Sequence, residues 1–185
     1  KEETAARLIE KIRENGGGLT TGFIGSRFIL PALSDIGETD TAYEIISRTA
    51  YPSWGYMLKN GATTVWERWN GYTKENGFED PEMNSFNHYS LGSCVEWLYS
   101  YVLGIKLSAE TDVVKIAPSF GKKIAFARGG TRLKGGKIFV SWKRENGAII
   151  LQVTADEGVN YEIASSGEIM SVAKNGNDTV AVVNV

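Results

Sequence analysis

The sequence predicts an α+β protein of two domains, an array of short helices over residues 1–107 followed by a small antiparallel β-sandwich over 108–185. Two observations carry this. Up to Gly104 the apolar residues recur at spacings of three and four, the helical period, and glycine turns separate the runs. Beyond Gly104 they alternate with polar residues at period two, between Asn-Gly and Gly-Gly pairs. Helix, glycine turn, helix is how an α/α array is written.

The first run covers 2–14, where Ala5, Leu8, Ile9 and Ile12 share one face and Gly16, Gly17 and Gly18 end it. Thr20 or Thr21 is expected to cap a second helix carrying Phe23, Ile24, Phe28, Ile29 and Leu33. Pro31 falls inside that run and should kink or split it, and Gly37 closes it. Asp40 or Thr41 is expected to cap a third helix through Ser47, with Glu44 completing a capping box with Thr41. A short helical segment follows from Ser53 to Lys59, then an Asn60-Gly61 turn. Two further turns are marked by Asn70-Gly71 and Asn76-Gly77. A long helix is then expected from about Ser85, capped by Asn84 or Ser85, with the stripe Leu91, Cys94, Val95, Leu98, Val102 and Ile105. His88 would head its inward face.

The domain boundary is placed near Leu107. Ile138, Val140 and Trp142 alternate, Asn146-Gly147 turns, and Ile149, Leu151 and Val153 alternate again, which is a β-hairpin. Gly129-Gly130, Gly135-Gly136, Glu157-Gly158 and Ser166-Gly167 punctuate further short strands, with Val113–Ile116 and Val180–Val185 completing the sheet or sandwich.

Composition narrows the function. The 185 residues are 42% hydrophobic and carry a net charge of −2, so nothing points to nucleic acid or an anionic membrane surface. No apolar run reaches membrane-spanning length, and Lys1 to Arg7 contain no signal-like apolar segment. Cys94 has no second cysteine to pair with, so cysteine usage leaves the compartment open. One histidine and one cysteine are too few for a zinc site.

Chemistry concentrates between Gly61 and Tyr89. Glu67 stands between Trp66 and Arg68, with Trp69 next; Asn84, Asn87 and His88 follow. Sugars offer apolar C–H faces that rest on indoles and hydroxyls that need charged or amide partners, so an acid among tryptophans and amides suits a carbohydrate site. Each residue also has a plainer reading: Glu67 or Arg68 as a surface ion pair, His88 as a core-edge histidine bonded to backbone, Trp54, Trp66 and Trp69 as core, the asparagines as turn and cap residues.

Three motifs tip the balance. Tyr51-Pro-Ser-Trp-Gly-Tyr-Met57, Gly61-Ala-Thr-Thr-Val-Trp-Glu-Arg-Trp69 and Met83-Asn-Ser-Phe-Asn-His-Tyr89, flanked by Leu19-Thr-Thr-Gly-Phe-Ile-Gly25 and Glu96-Trp-Leu-Tyr99, resemble the C-terminal part of the catalytic domain of bacterial α-L-rhamnosidases. The resemblance covers most of 1–107 and, more weakly, the remainder. It implies the last helical pairs of an (α/α)6 toroid with a β-sandwich behind, and inverting hydrolysis of terminal rhamnosides without a cofactor. Rhamnose-containing glycosides or polysaccharides are the implied partners. By the same resemblance Glu67 is the general base and His88 a sugar contact, with Trp69, Trp66, Trp54, Arg68 and Asn87 as further substrate-binding candidates. The family's general acid belongs to an Arg-Asp-Glu stretch followed by Trp and Gly-Asp. No such stretch occurs here, so the chain by itself is expected to be inactive, with a non-catalytic sugar-binding or structural role as the competing reading. A partial toroid should also expose apolar helix faces, with Leu8, Ile12, Phe28 and Ile29 as candidates, and self-associate through them.

Overall fold

A computed structural model describes residues 2–165 and 167–184. Its contacts divide into two compact units, 1–95 and 96–185. The first is helical: α1 (Glu2–Glu14), α2 (Phe23–Asp35), α3 (Thr39–Ser47) and α4 (Trp54–Lys59), followed by a two-stranded ribbon, β1 (Tyr72–Thr73) with β2 (Gly77–Phe78), and α5 (Tyr89–Gly92). Strands dominate the second.

Three of the helices end by one device. After α1, Gly17 N–H donates to Ile12 O and Gly16 N–H to Arg13 O. After α2, Glu38 and Gly37 bond Leu33 O and Ser34 O, and after α4, Ala62 and Gly61 bond Met57 O and Leu58 O. This crossed pair satisfies carbonyls that the helix leaves open, and it needs a left-handed residue at its pivot. Gly16, Gly37 and Gly61 supply it, with φ of 61°, 87° and 85°. The glycines read as helix stops are therefore stops for a definite steric reason.

Helix starts depart more from expectation. Gly22, without a side-chain cap bond, precedes α2, while Thr21 instead shares a hydroxyl bond of 2.9 Å with Ser26. Glu38 precedes α3, and Thr41 Oγ1 donates to Glu38 Oε2 rather than capping through Glu44. Ser53 does cap α4, accepting from Tyr56 N–H. Pro31 does not split α2, which runs unbroken to Asp35. The buried stripe of α2 is Ser26, Ile29, Leu30 and Leu33, packed towards α3 and α5, whereas Phe23, Ile24 and Phe28 lie on its exposed arc. Of the faces expected to be open, Phe28 is exposed; Ile12 and Ile29 are buried, because each sits on the inner stripe of its helix.

The expected long helix is broken. His88, not Asn84 or Ser85, caps α5, with Nδ1 accepting Ser90 N–H. Ser93 interrupts the run by turning its hydroxyl onto Ser90 O, and α6 (Cys94–Trp97) leads into a π-helical turn, Leu98–Val102, closed by Leu103 N–H to Leu98 O. Five-residue spacing replaces four here, so Trp97 and Val102 are buried while Val95 and Leu98 face out. Ile105 belongs to a strand.

In the second unit β3 (Ile105–Lys106), β4 (Val113–Ile116) and β8 (Asn160–Ile163) form a three-stranded sheet, with β4 and β8 parallel. The larger sheet is antiparallel and has the order β5-β6-β7-β10-β9, from β5 (Phe126–Leu133), β6 (Gly136–Glu145), β7 (Ala148–Ala155), β9 (Glu168–Asn175) and β10 (Asp178–Asn184). Its β6–β7 hairpin turns at Asn146 and Gly147, both left-handed at 49° and 81°. Gly129-Gly130, expected as a break, lies inside β5, where a Cβ on Gly130 would press on the Ile138 carbonyl of the next strand. Ile138, Val140 and Trp142 on β6, Ile149, Leu151 and Val153 on β7, and Ala181 and Val183 on β10 form the inner face. Each such large aliphatic side chain contributes roughly 1.5–3 kcal/mol on burial. Trp142 Nε1 donates to Val102 O at 2.7 Å, so the indole is buried with its one donor satisfied. The Ser166-Gly167 turn signal lies partly outside the described residues.

Candidate active site

The site is built from two irregular stretches joined by the ribbon. Past Gly61 the chain is irregular, with bends at Thr63, Thr64, Glu67 and Arg68, and two backbone bonds hold it to 85–88: Glu67 N–H donates to Ser85 O and His88 N–H to Val65 O, each at 2.9 Å. Trp66 is buried, its ring 5.3 Å from Phe86 and 6.2 Å from Tyr72, and Glu67 beside it is half-buried. Ser85 N–H then donates to Glu67 Oε2 at 2.9 Å, so one carboxylate oxygen is clipped to the backbone of the partner stretch.

Between these stretches the ribbon folds back, pinned at its base by Asn84. Its Nδ2 donates to Gly71 O at 2.8 Å and to Glu79 O at 3.2 Å. Asn84 Oδ1 is buried without a partner and faces Gly71 so closely that a Cβ there would stand 2.9 Å from it. Asn84, read as a cap, is a loop clamp.

Glu67, Arg68, Trp69 and Asn70 line a cleft of about 370 Å³, opposite Thr20, Thr21, Gly22 and Phe23, with Leu91 at its floor. Trp69 Nε1 donates to Thr21 O at 2.8 Å, which ties the two walls together. Trp54 stands edge-on to Trp69 at 5.0 Å and donates its own Nε1 to Leu91 O. Trp54 and Trp66 are both buried and neither lines the cleft. His88 lies beside it, 6.5 Å from the Phe23 ring and stacked on Tyr89. Because Nδ1 is occupied by the cap, Nε2 is its other polar atom. Asn87 is exposed, outside the cleft lining, and its backbone N–H bonds Ser85 Oγ. Glu67 is the one carboxylate among the cleft-lining residues, and no Glu67–Arg68 ion pair forms among the described residues. No group of three His, Cys, Asp or Glu that could hold a metal ion occurs among them either.

Residue-by-residue reading of the sequence had passed over Thr20, Thr21, Phe23, Asn70 and Leu91 as lining. The Leu19-to-Gly25 motif was the available signal, but its phenylalanine also fits the apolar pattern of a helix.

The bacterial alpha-L-rhamnosidase 6 hairpin glycosidase domain matches residues 1–102. The chain belongs to that family. Among curated α-L-rhamnosidases, that of Streptomyces avermitilis is 37% identical over 88% of this chain and 16% of its own length. One from Formosa agariphila is also 37% identical, over 88% of this chain and 18% of its own. The chain thus spans less than a fifth of these rhamnosidases. The S. avermitilis enzyme solved with L-rhamnose superposes with a TM-score of 0.82 at 33% identity, covering 97% of this chain and 18% of that one. For the Aspergillus terreus enzyme the TM-score is 0.77 at 28% identity, over 98% and 20%. The β region follows the helical region along the chain.

Proposed function

We propose that this chain furnishes the water-activating side of an inverting rhamnosidase site, with Glu67 as general base. The observation that carries the reading is the state of its carboxylate. Oε2 is held by the Ser85 amide, which fixes the plane of the group and leaves Oε1 to accept a proton from water at the cleft. Inversion needs such a base on the face of the sugar opposite the leaving group. Arg68 and Asn70 beside it offer donors for hydroxyls, Trp69 offers an apolar face, and His88 offers Nε2 from the adjoining helix start. Trp54 and Trp66 act in this scheme as buttresses, Trp54 against the Trp69 ring and Trp66 under the ribbon.

Inversion also needs an acid on a second carboxyl roughly 6.5–9.5 Å away. Glu67 is the one carboxylate among the residues lining this cleft. A positioned acid contributes about 10²–10⁴-fold, and orientation of the sugar roughly 7–11 kcal/mol more. The chain by itself is therefore expected to hold rhamnose only at millimolar strength, about −4 kcal/mol, without turning over rhamnosides. An assay of the purified chain with p-nitrophenyl α-L-rhamnoside, beside Glu67→Gln, tests this. Turnover that vanishes in the variant would refute the inactivity and bring in Glu75, Glu79, Asp80 or Glu82 of the ribbon region as acid.

A further inference from the structure

Phe23 stands out among the apolar residues of α2's exposed arc because it also lines the cleft beside Glu67. It is the first residue of α2, its side chain is 50% exposed, and the buried stripe of the helix leaves it out. A phenyl ring half in water forgoes much of the burial that normally repays an aromatic side chain. Its position is nonetheless fixed. Trp69 Nε1 holds Thr21 O, so the segment that leads into Phe23 is tied to the segment that carries Glu67. Phe23 and Glu67 line one cleft, and the His88 ring stands 6.5 Å from the Phe23 ring.

We propose that Phe23 selects for a 6-deoxy sugar by receiving the C5 methyl group of L-rhamnose. The inference rests on the reading of the cleft as a rhamnoside site. L-Rhamnose differs from L-mannose only at carbon 6, a methyl in place of a hydroxymethyl. The methyl-bearing carbon is joined to the anomeric carbon through the ring oxygen, and on its other side it neighbours a carbon bearing a hydroxyl. A water-activating group aimed at the anomeric carbon, an apolar surface for the methyl and a donor or acceptor for the next hydroxyl must therefore sit close together. Glu67, Phe23 and His88 do so in this arrangement. Among the cleft-lining residues, Arg68, Asn70, Thr20 and Thr21 are polar, Trp69 has the broader face suited to ring C–H groups, and Leu91 lies buried at the floor. Phe23 is left as the exposed apolar ring for the methyl.

A fully enclosing apolar pocket discriminates one methylene by about 10–200-fold, while rejecting an added hydroxyl is limited to about a hundredfold. Phe23 covers the methyl from one side, so the expected preference for L-rhamnose over L-mannose is about three- to tenfold. The ¹⁵N-labelled chain is titrated with each sugar, and the amides of Phe23, Glu67 and His88 are followed by NMR. Phe23→Ala should bring the two affinities within about twofold of each other by costing the rhamnose side alone, and Phe23→Gln, which keeps bulk but not apolarity, should do the same. His88→Ala should weaken both sugars and leave their ratio unchanged. If both Phe23 variants keep a dispersed wild-type spectrum and the wild-type ratio, the role of Phe23 is overturned while the rhamnoside reading stands. If neither sugar perturbs these amides in the wild-type chain, the rhamnoside reading itself is overturned, and Phe23 with it.

Discussion

Replacing Glu67 by glutamine separates chemistry from architecture at this site. Among the described residues the carboxylate accepts one hydrogen bond, from Ser85 N–H to Oε2, and that bond joins the two stretches that carry Glu67 and His88. Glutamine keeps an oxygen for Ser85 and puts an NH₂ where Oε1 stood, so the clip survives but the atom facing water becomes a donor. A hydrogen bond to a charged group is worth about 1.5–3 kcal/mol against 0.5–1.5 for a neutral one, so stability should fall by no more than about 2.5 kcal/mol. Catalysis should fall by about 10²–10⁴-fold, the usual contribution of a positioned base. At 1.36 kcal/mol per decade this is about 2.7–5.4 kcal/mol of barrier. Glu67→Ala should lose as much rate and more stability, because it also leaves the Ser85 amide without its acceptor. The assay is turnover of an aryl rhamnoside by a complete rhamnosidase containing this chain, with thermal melts of all three proteins. Glu67→Gln turnover within tenfold of wild type would refute the base assignment; equal melting losses for Gln and Ala would refute the clip.

At His88 the same logic uses the cap. His88→Ala should cost about 1 kcal/mol of stability through loss of the Ser90 N–H acceptor, together with rhamnose affinity, whereas His88→Asn should recover the melting temperature but not the affinity, read by calorimetry. Recovery of both would assign His88 to capping alone. Gly104 has φ of 76°, and a Cβ there would stand 2.2 Å from Pro118 N, so Gly104→Ala should destabilise the second unit by at least about 1–2 kcal/mol in denaturant unfolding. An unchanged midpoint would contradict the close approach. Burial pushes the Cys94 thiol up from 9.0 to about 11. The folded state then keeps a proton that the unfolded chain releases, so the Cys94 contribution to stability should be constant below about pH 9 and fall as pH rises from about 9 to 11, and Cys94→Ala should flatten that fall in melts across the range.

Period and punctuation were enough to read the class of each half. The glycine stops of α1, α2 and α4 were legible because a left-handed pivot admits almost no other residue, and the β6–β7 hairpin because Asn146-Gly147 meets the same demand from a two-residue turn. Motifs from Tyr51 to Tyr89 were enough to name the family. What local pattern could not convey was which of several competent groups wins. Asn84 and Ser85 are good caps by type, yet Asn84 is drawn to the carbonyls of Gly71 and Glu79, and His88 takes the helix start instead. The stripe from Leu91 to Ile105 scans as one helix, but the Ser93 hydroxyl and the π turn at Leu98–Val102 break its register. Trp54, Trp66 and Trp69 are alike as letters. Only the tertiary structure separates them, burying Trp54 and Trp66 and leaving Trp69 at the cleft, because Trp54 Nε1 is drawn to Leu91 O, Trp69 Nε1 to Thr21 O, and the Trp66 ring to Phe86 and Tyr72. Phe23 shows the limit most plainly. A phenylalanine at helical spacing reads as core, and whether it meets a neighbour or open water depends on chain far from it in sequence.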